Sequence, residues 1–174
     1  MTERIDPPLV GEETPMIVGF LDFQRQTLAM KTAGLDADQL NRALSPSPMT
    51  LGGMLKHLAT AEDWWFSQVL MGNEESPPFT GVDWEDDEDW EWHSAADDSP
   101  EELRDLWRSF VSRSQEITAA ALADGGLDRL SVRSSRSGEK FSLRWILLHM
   151  IVEYARHNGH ADLIRESIDG QTGE

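Results

Sequence analysis

The 174-residue sequence contains no cysteine, few basic residues and no long apolar run, and each scarcity excludes a class of function. Without cysteine the chain has neither a cysteine nucleophile nor a thiolate metal site, so any metal ligands must be His, Asp or Glu. Fifteen Lys and Arg residues against 32 Asp and Glu residues give a net charge of −17, which disfavours nucleic-acid or anionic-membrane partners. The longest apolar stretches, such as residues 146–151, are much shorter than the ~20 residues of a membrane-spanning helix.

Length and composition also indicate how the chain is organised. A content of 39% hydrophobic residues is sufficient for one continuous core, and we expect a single domain over residues 1–174. The amino-terminal sequence MTERIDPPLVGEETP has acids and prolines where a secretory signal has a basic start and an apolar run. We therefore expect a cytoplasmic protein.

The acidic residues are concentrated in one segment. No Lys or Arg occurs between Lys56 and Arg104, and thirteen acids lie within residues 74–102. Trp84, Trp90 and Trp92 interrupt these acids, which favours a long loop, about residues 72–98, whose rings fix it onto the domain. The alternatives are a partner-binding patch and a Ca²⁺ site, although WEDDEDWEW lacks the Asp-x-Asp-x-Asp-Gly spacing of an EF-hand loop.

Four segments have helical periodicity and predict an all-α fold. The start signals of the four segments are, in order, Thr14-Pro15, Thr50, Ser99-Pro100 and Ser142. The corresponding stop signals are Gly34, Gly72, Gly125-Gly126 and Gly170. Some thirty residues separate the second segment from the third, and a connection of that length allows those two helices to run parallel. We therefore expect an up-down-down-up four-helix bundle with a long crossover between helices 2 and 3.

The segment 127–140 is the most basic part of the chain. Its sequence, LDRLSVRSSRSGEK, also contains Ser and Gly turn signals. On so acidic a protein, we interpret its basic side chains as salt partners of the acidic loop or as an anion clamp.

The fourth helix places a carboxylate and an imidazole on its apolar side. At about 100° per residue, Glu153 and His157 lie within roughly 20° of the apolar residues Ile146 and Ile164. Unpaired burial would cost several kcal/mol each, so these side chains need a partner, a water cavity or a cation. His57 lies on the apolar stripe of the second helix and also points inward.

Three such ligands from two facing helices would leave a divalent ion with open positions, as in catalytic sites. Taken alone, His57 is more typical of a satisfied core histidine, and Glu153 could pair with a buried Arg or with polar atoms of Trp145 or Tyr154. His149 and His160 flank the pair and are expected behind the ligands or at the surface. His93, in the acidic loop, is typical of a solvated side chain.

Two stretches resemble the DinB-like superfamily, and the resemblance covers essentially the whole chain. They are LRWILLHMIVEYARHNGHADLIRESIDG, residues 143–170, and MTLGGMLKHLATAEDWWF around His57. They are similar to uncharacterised actinobacterial members and to the metal domain of mycothiol-dependent maleylpyruvate isomerase. Many members carry His-x-x-x-His-Arg-Gly-Gln in the last helix, whereas here Glu153 stands at the first histidine. That departure is similar to the isomerase branch, which uses a His, Glu, His zinc triad.

The resemblance implies that His57, Glu153 and His157 bind a divalent metal, most often zinc, with nickel or manganese as alternatives. It further implies that the metal activates a small thiol such as mycothiol against an electrophile. The isomerase carries a second, carboxy-terminal domain and this chain ends at Glu174, so we expect an S-transferase and not an isomerase.

Two other functions stay open at this point. One is a non-enzymatic metal-binding or stress-response bundle that acts through protein partners, and the other is a purely structural bundle. Apolar residues at the bundle ends favour a homodimer.

Overall fold

The computed structural model describes residues 4–173, and most of this range is helical. The helices are α1 (Glu13–Thr32), α2 (Ala37–Leu40), α3 (Leu51–Glu62), α4 (Trp90–Ser94), α5 (Pro100–Ala123) and α6 (Leu143–Asp169). A π-helix over Asp63–Leu70 continues α3 directly, and 3₁₀ turns occupy Ala95–Asp97 and Gly126–Asp128. Strands β1 (Leu130–Ser134) and β2 (Lys140–Ser142) form a small antiparallel sheet. The expectation of a mostly helical fold is confirmed, and the hairpin is an addition that the turn signals of residues 127–140 did not predict.

The capping residues explain where most helices begin. The Thr50 hydroxyl accepts a hydrogen bond from the Gly53 amide at 3.0 Å, and Ser99 forms a complete capping box with Glu102. Ser142 caps the start of α6, and Gly170 caps its end in a left-handed conformation with φ of 77°. The helix starts predicted at Thr50, Ser99 and Ser142 and the helix stop predicted at Gly170 are therefore confirmed.

The first helix starts earlier than predicted. It begins at Glu13 and its N-cap residue is Glu12, whose side chain makes no capping hydrogen bond. Pro15 fits inside the first turn because amides there have no intrahelical acceptor. The Thr14-Pro15 signal therefore lies within the first turn of α1 and does not mark the residue at which the helix begins.

A buried polar network joins four helices in the centre of the molecule. The Arg25 guanidinium on α1 donates from Nε and Nη2 to the Glu62 carboxylate on α3, both at 2.8 Å. The Tyr154 hydroxyl on α6 donates to Glu62 Oε1 at 2.8 Å and accepts from Trp107 Nε1 on α5 at 2.9 Å. Since Tyr154 is the neighbour of Glu153, this network fixes the register between α3 and α6.

The acidic segment is held on the body of the protein by its aromatic rings. Trp84, Trp90 and Trp92 are partly buried against the core, which confirms the interpretation of these rings as anchors. The Lys56 ammonium lies 4.6 Å from the centre of the Trp90 ring and 2.5 Å from Asp98 Oδ2. The segment is therefore bound to α3.

Among the described residues, the basic segment does not pair with the acids of the acidic segment. Arg129 pairs with Asp124, and Arg133 donates to the Asn73 carbonyl at 2.8 Å. Within residues 4–173 the ion pairs of the acidic segment involve Lys56, His57 and its own His93. The expected pairing between the two oppositely charged segments does not occur among these ion pairs. No helix in the described range is both long enough and apolar enough to cross a membrane.

Candidate metal centre

The three predicted ligands come together between α3 and α6. His57 Nε2 lies 3.2 Å from Glu153 Oε1, and His157 Nε2 lies 3.2 Å from the same oxygen. One donor atom from each residue lies within 4.8 Å of the other two. The i, i+4 spacing of Glu153 and His157 stacks them one turn apart, as the sequence predicted.

The two separations at Glu153 Oε1 fit a divalent metal. For zinc bonds of about 2.0–2.1 Å, two ligand atoms at a tetrahedral angle are about 3.3 Å apart. The two 3.2 Å separations at Glu153 Oε1 agree with that value. The His57, Glu153 and His157 side chains are 24%, 21% and 14% exposed, so the centre is partly shielded yet accessible to a small molecule.

Two residues of the acidic segment, both on α4, contact the candidate ligand His57. Glu91 Oε1 lies 2.9 Å from His57 Nδ1, the nitrogen that faces away from Glu153. The Trp92 ring stacks on the His57 ring with a centroid distance of 5.0 Å and an interplanar angle of 27°. The sequence pattern predicts Trp92 as an anchor of the loop or part of a partner-binding patch and indicates no role for Glu91, so these two neighbours of the site were missed.

Comparison with known proteins gives the family. Residues 16–170 match the model of the family described as mycothiol-S-transferase. This chain belongs to the mycothiol-S-transferase family. The match covers the whole candidate metal centre of this family member, including α4. It does not name the DinB-like superfamily, which stays a prediction. No curated protein matches the chain.

Opposing charges dominate the electrostatics of the centre in this mycothiol-S-transferase family member. Burial of His57 opposes protonation, but its hydrogen bonds with Glu153 and Glu91 raise the pKa of the imidazole to about 9. Hydrogen bonds from His157 and His57 hold the pKa of Glu153 well below its usual range. Without metal, a proton is thus held between two carboxylates at neutral pH. A divalent cation held by His57, Glu153 and His157 would have to displace this proton.

The flanking histidines lie close to the three candidate ligands but outside their group. The His149 ring stacks on Trp145 at 4.9 Å and contacts Trp65 at 4.5 Å, and burial lowers the pKa of His149. The His160 ring is 6.0 Å from the His157 ring and lines an apolar cavity of about 250 Å³. His93 lies on α4 and not in a loop, but it is exposed and bonds to Asp87, as expected of a solvated side chain.

Proposed function

We propose that this protein is a metal-dependent mycothiol S-transferase whose metal ion is held by His57, Glu153 and His157. Zinc is the metal we expect, with nickel or manganese as alternatives. One observation carries the proposal: three metal-type donors from two helices lie within 4.8 Å of one another in a member of this family.

The donor set suits activation of a thiol. A divalent metal bound here supplies a Lewis acid that holds the thiol sulfur and lowers its pKa. Two neutral imidazoles and one carboxylate cancel only part of the charge of a divalent ion, so the centre favours an anionic sulfur over a neutral one. The chain contains no cysteine, so the reactive sulfur must come from the substrate.

The proposed transfer forms one carbon–sulfur bond. The thiol proton passes to solvent, and the sulfur lone pair attacks an electrophilic carbon of the second substrate. The leaving group departs with the electron pair of the bond that breaks. The Trp92 ring stacks on His57, and the Trp145, Trp65 and His149 rings cluster one to two helical turns from the ligands; we propose these rings as the apolar surface that receives that substrate.

The fold we propose for this function keeps the topology that the sequence predicts. The four long helical segments are α1, α3 with its π-helical continuation, α5 and α6. We propose that they form a single-domain up-down-down-up bundle with the acidic segment as the crossover. Cytoplasmic location and homodimer formation remain predictions, and light scattering of the purified protein tests the second.

Elemental analysis of the purified protein tests the metal site. We expect about one metal ion per chain in the wild type and a large loss in both His57→Ala and His157→Ala. His93→Ala makes the same chemical change at an exposed loop position and should retain the metal. Unchanged metal content in both site variants would contradict the proposed ligands.

A turnover assay separates an enzyme from a metal-binding bundle that acts through partners. We expect the metal-loaded protein to consume mycothiol and an alkylating electrophile in equal amounts, and the His157→Ala variant to lose this activity. A protein that binds metal stoichiometrically but leaves the thiol unreacted with a panel of electrophiles would favour the non-enzymatic alternative. Deletion of the acidic segment then tests whether partner binding depends on that segment.

A further inference from the structure

One carboxylate of the acidic segment, that of Glu91, contacts the proposed ligand His57, which lies 34 residues earlier in the sequence. Glu91 Oε1 is 2.9 Å from His57 Nδ1, while His57 Nε2 faces Glu153 and the place that the metal would occupy. The remaining twelve acids within residues 74–102 do not contact the three proposed ligands through an ion pair in the described range.

Burial of the Glu91 carboxylate at this position is energetically unfavourable by itself. Glu91 is 7% exposed, and its second carboxylate oxygen is buried with no hydrogen-bond partner among the described residues. A buried carboxylate with a single partner is unfavourable unless a positive charge lies close by. A protonated His57, or a neutral His57 bound to a divalent cation, supplies that charge.

Close packing on α3 holds Glu91 in place. The next residue, Trp92, covers Gly53 so closely that a Cβ on Gly53 would lie 2.6 Å from Trp92 Cε3. The preceding residue, Trp90, packs its ring against the Lys56 ammonium. Glu91 is therefore fixed between two anchored rings, which leaves its carboxylate little freedom.

An imidazole binds a metal through one nitrogen, and the hydrogen bond at the other nitrogen selects which one. We propose that Glu91 is a positioning residue of the metal centre: it holds the proton of His57 on Nδ1 and so presents Nε2 to the metal. The negative charge of Glu91 also makes the imidazole a stronger donor. This inference rests on the metal site proposed above but not on the transfer reaction.

Zinc affinity and the state of the His57 ring test the proposal together. The variants are Glu91→Ala, Glu91→Gln and Glu88→Ala, where Glu88 is an exposed acid of the same segment and serves as the control for loss of charge. Competition with a chromophoric chelator measures the dissociation constant for zinc. Nitrogen-15 NMR of the zinc-loaded protein reports which His57 nitrogen carries the proton.

We expect Glu91→Ala to weaken zinc binding by roughly 10–100-fold, the usual effect of losing a carboxylate behind a ligating histidine. In that variant the Nδ1 proton of His57 should exchange rapidly with water, whereas in the wild type it should be protected. Glu91→Gln keeps an acceptor oxygen without the charge, so it should restore the Nδ1–H form and part of the affinity. Glu88→Ala should bind zinc as the wild type does.

Two results would overturn the proposal. Unchanged zinc affinity and an unchanged His57 ring in Glu91→Ala, with only a lower melting temperature, would make Glu91 an anchor of the segment. A wild-type protein that does not bind zinc, nickel or manganese would overturn the metal site itself, and with it the role of Glu91. If Glu91→Ala fails to fold, the comparison of Glu91→Gln with Glu88→Ala still decides the matter, because loss of charge at Glu91 alone should weaken zinc binding.

Discussion

The Gly53→Ala substitution tests how closely the acidic segment packs on the metal-bearing helix. Gly53 lies in α3, one turn before His57, and a Cβ there would lie 2.6 Å from Trp92 Cε3 and 3.3 Å from Trp92 Cα. Carbon atoms in contact normally lie about 3.5–4.0 Å apart. The indole ring, which stacks on His57, must therefore move by about 1 Å, and the adjoining Glu91 must move with it.

The expected free-energy change combines two opposing effects. Overpacking of this kind costs about 1–3 kcal/mol, while Ala in place of Gly in a helix contributes about 1 kcal/mol. Gly53→Ala should therefore destabilise the protein by about 0–2 kcal/mol. Gly159→Ala in α6 is a matched control, since its Cβ would meet no atom within 4 Å and only the helix effect remains. The two variants should thus differ by about 1–3 kcal/mol, because only Gly53→Ala is overpacked.

Thermal unfolding and zinc competition on the same samples measure both effects. At about 2–4 °C per kcal/mol for a chain of this size, the Gly53→Ala variant should melt roughly 2–12 °C below Gly159→Ala. Its zinc affinity should fall by roughly tenfold as α4 moves away from His57. A Gly53→Ala variant that is as stable as Gly159→Ala and binds zinc like the wild type would refute the packing of Trp92 on α3.

Three further predictions follow from the core, the caps and the electrostatics. Glu62→Ala removes the fully buried carboxylate that pairs with Arg25 and leaves the guanidinium with the partly exposed Asp22, so urea unfolding should show a loss of about 3–5 kcal/mol, against about 1–3 kcal/mol for Tyr154→Phe. Ser142→Ala removes the cap of α6 and should cost about 1 kcal/mol in the same assay, and a value near zero would contradict the capping role. The pKa of His57 is raised to about 9, so its stabilising effect on the metal-free protein is complete below about pH 6.5 and is lost as the pH rises through 9. The melting temperature of the metal-free wild type should fall over that range, and His57→Gln should remove this fall.

The helices and the three proposed ligands were predictable because local rules determine them. The caps at Thr50, Ser99 and Ser142 are residues whose side chains bond to their own first turn. The i, i+4 spacing of Glu153 and His157 fixes their common direction whatever the rest of the fold does.

The role of α4 at the metal centre was not predictable in this way. The contact between Glu91 and His57 spans 34 residues and depends on how the crossover lies on α3, which periodicity does not determine. One signal was present in the sequence: Gly52-Gly53 interrupts an apolar helical stripe, and glycine there allows close approach of another segment. The hairpin was missed because its strands are only five and three residues long, and apolar–polar alternation over so few residues does not distinguish a strand from a turn-rich segment.

Binding of the thiol sulfur to the metal is the central claim, and cobalt(II) substitution tests it most directly. Cobalt(II) in place of the resident metal makes the site visible by absorption. Addition of mycothiol should produce a sulfur-to-cobalt charge-transfer band that saturates at one equivalent in the wild type and is absent in His157→Ala. A cobalt-loaded wild type whose spectrum does not change with mycothiol would contradict the account.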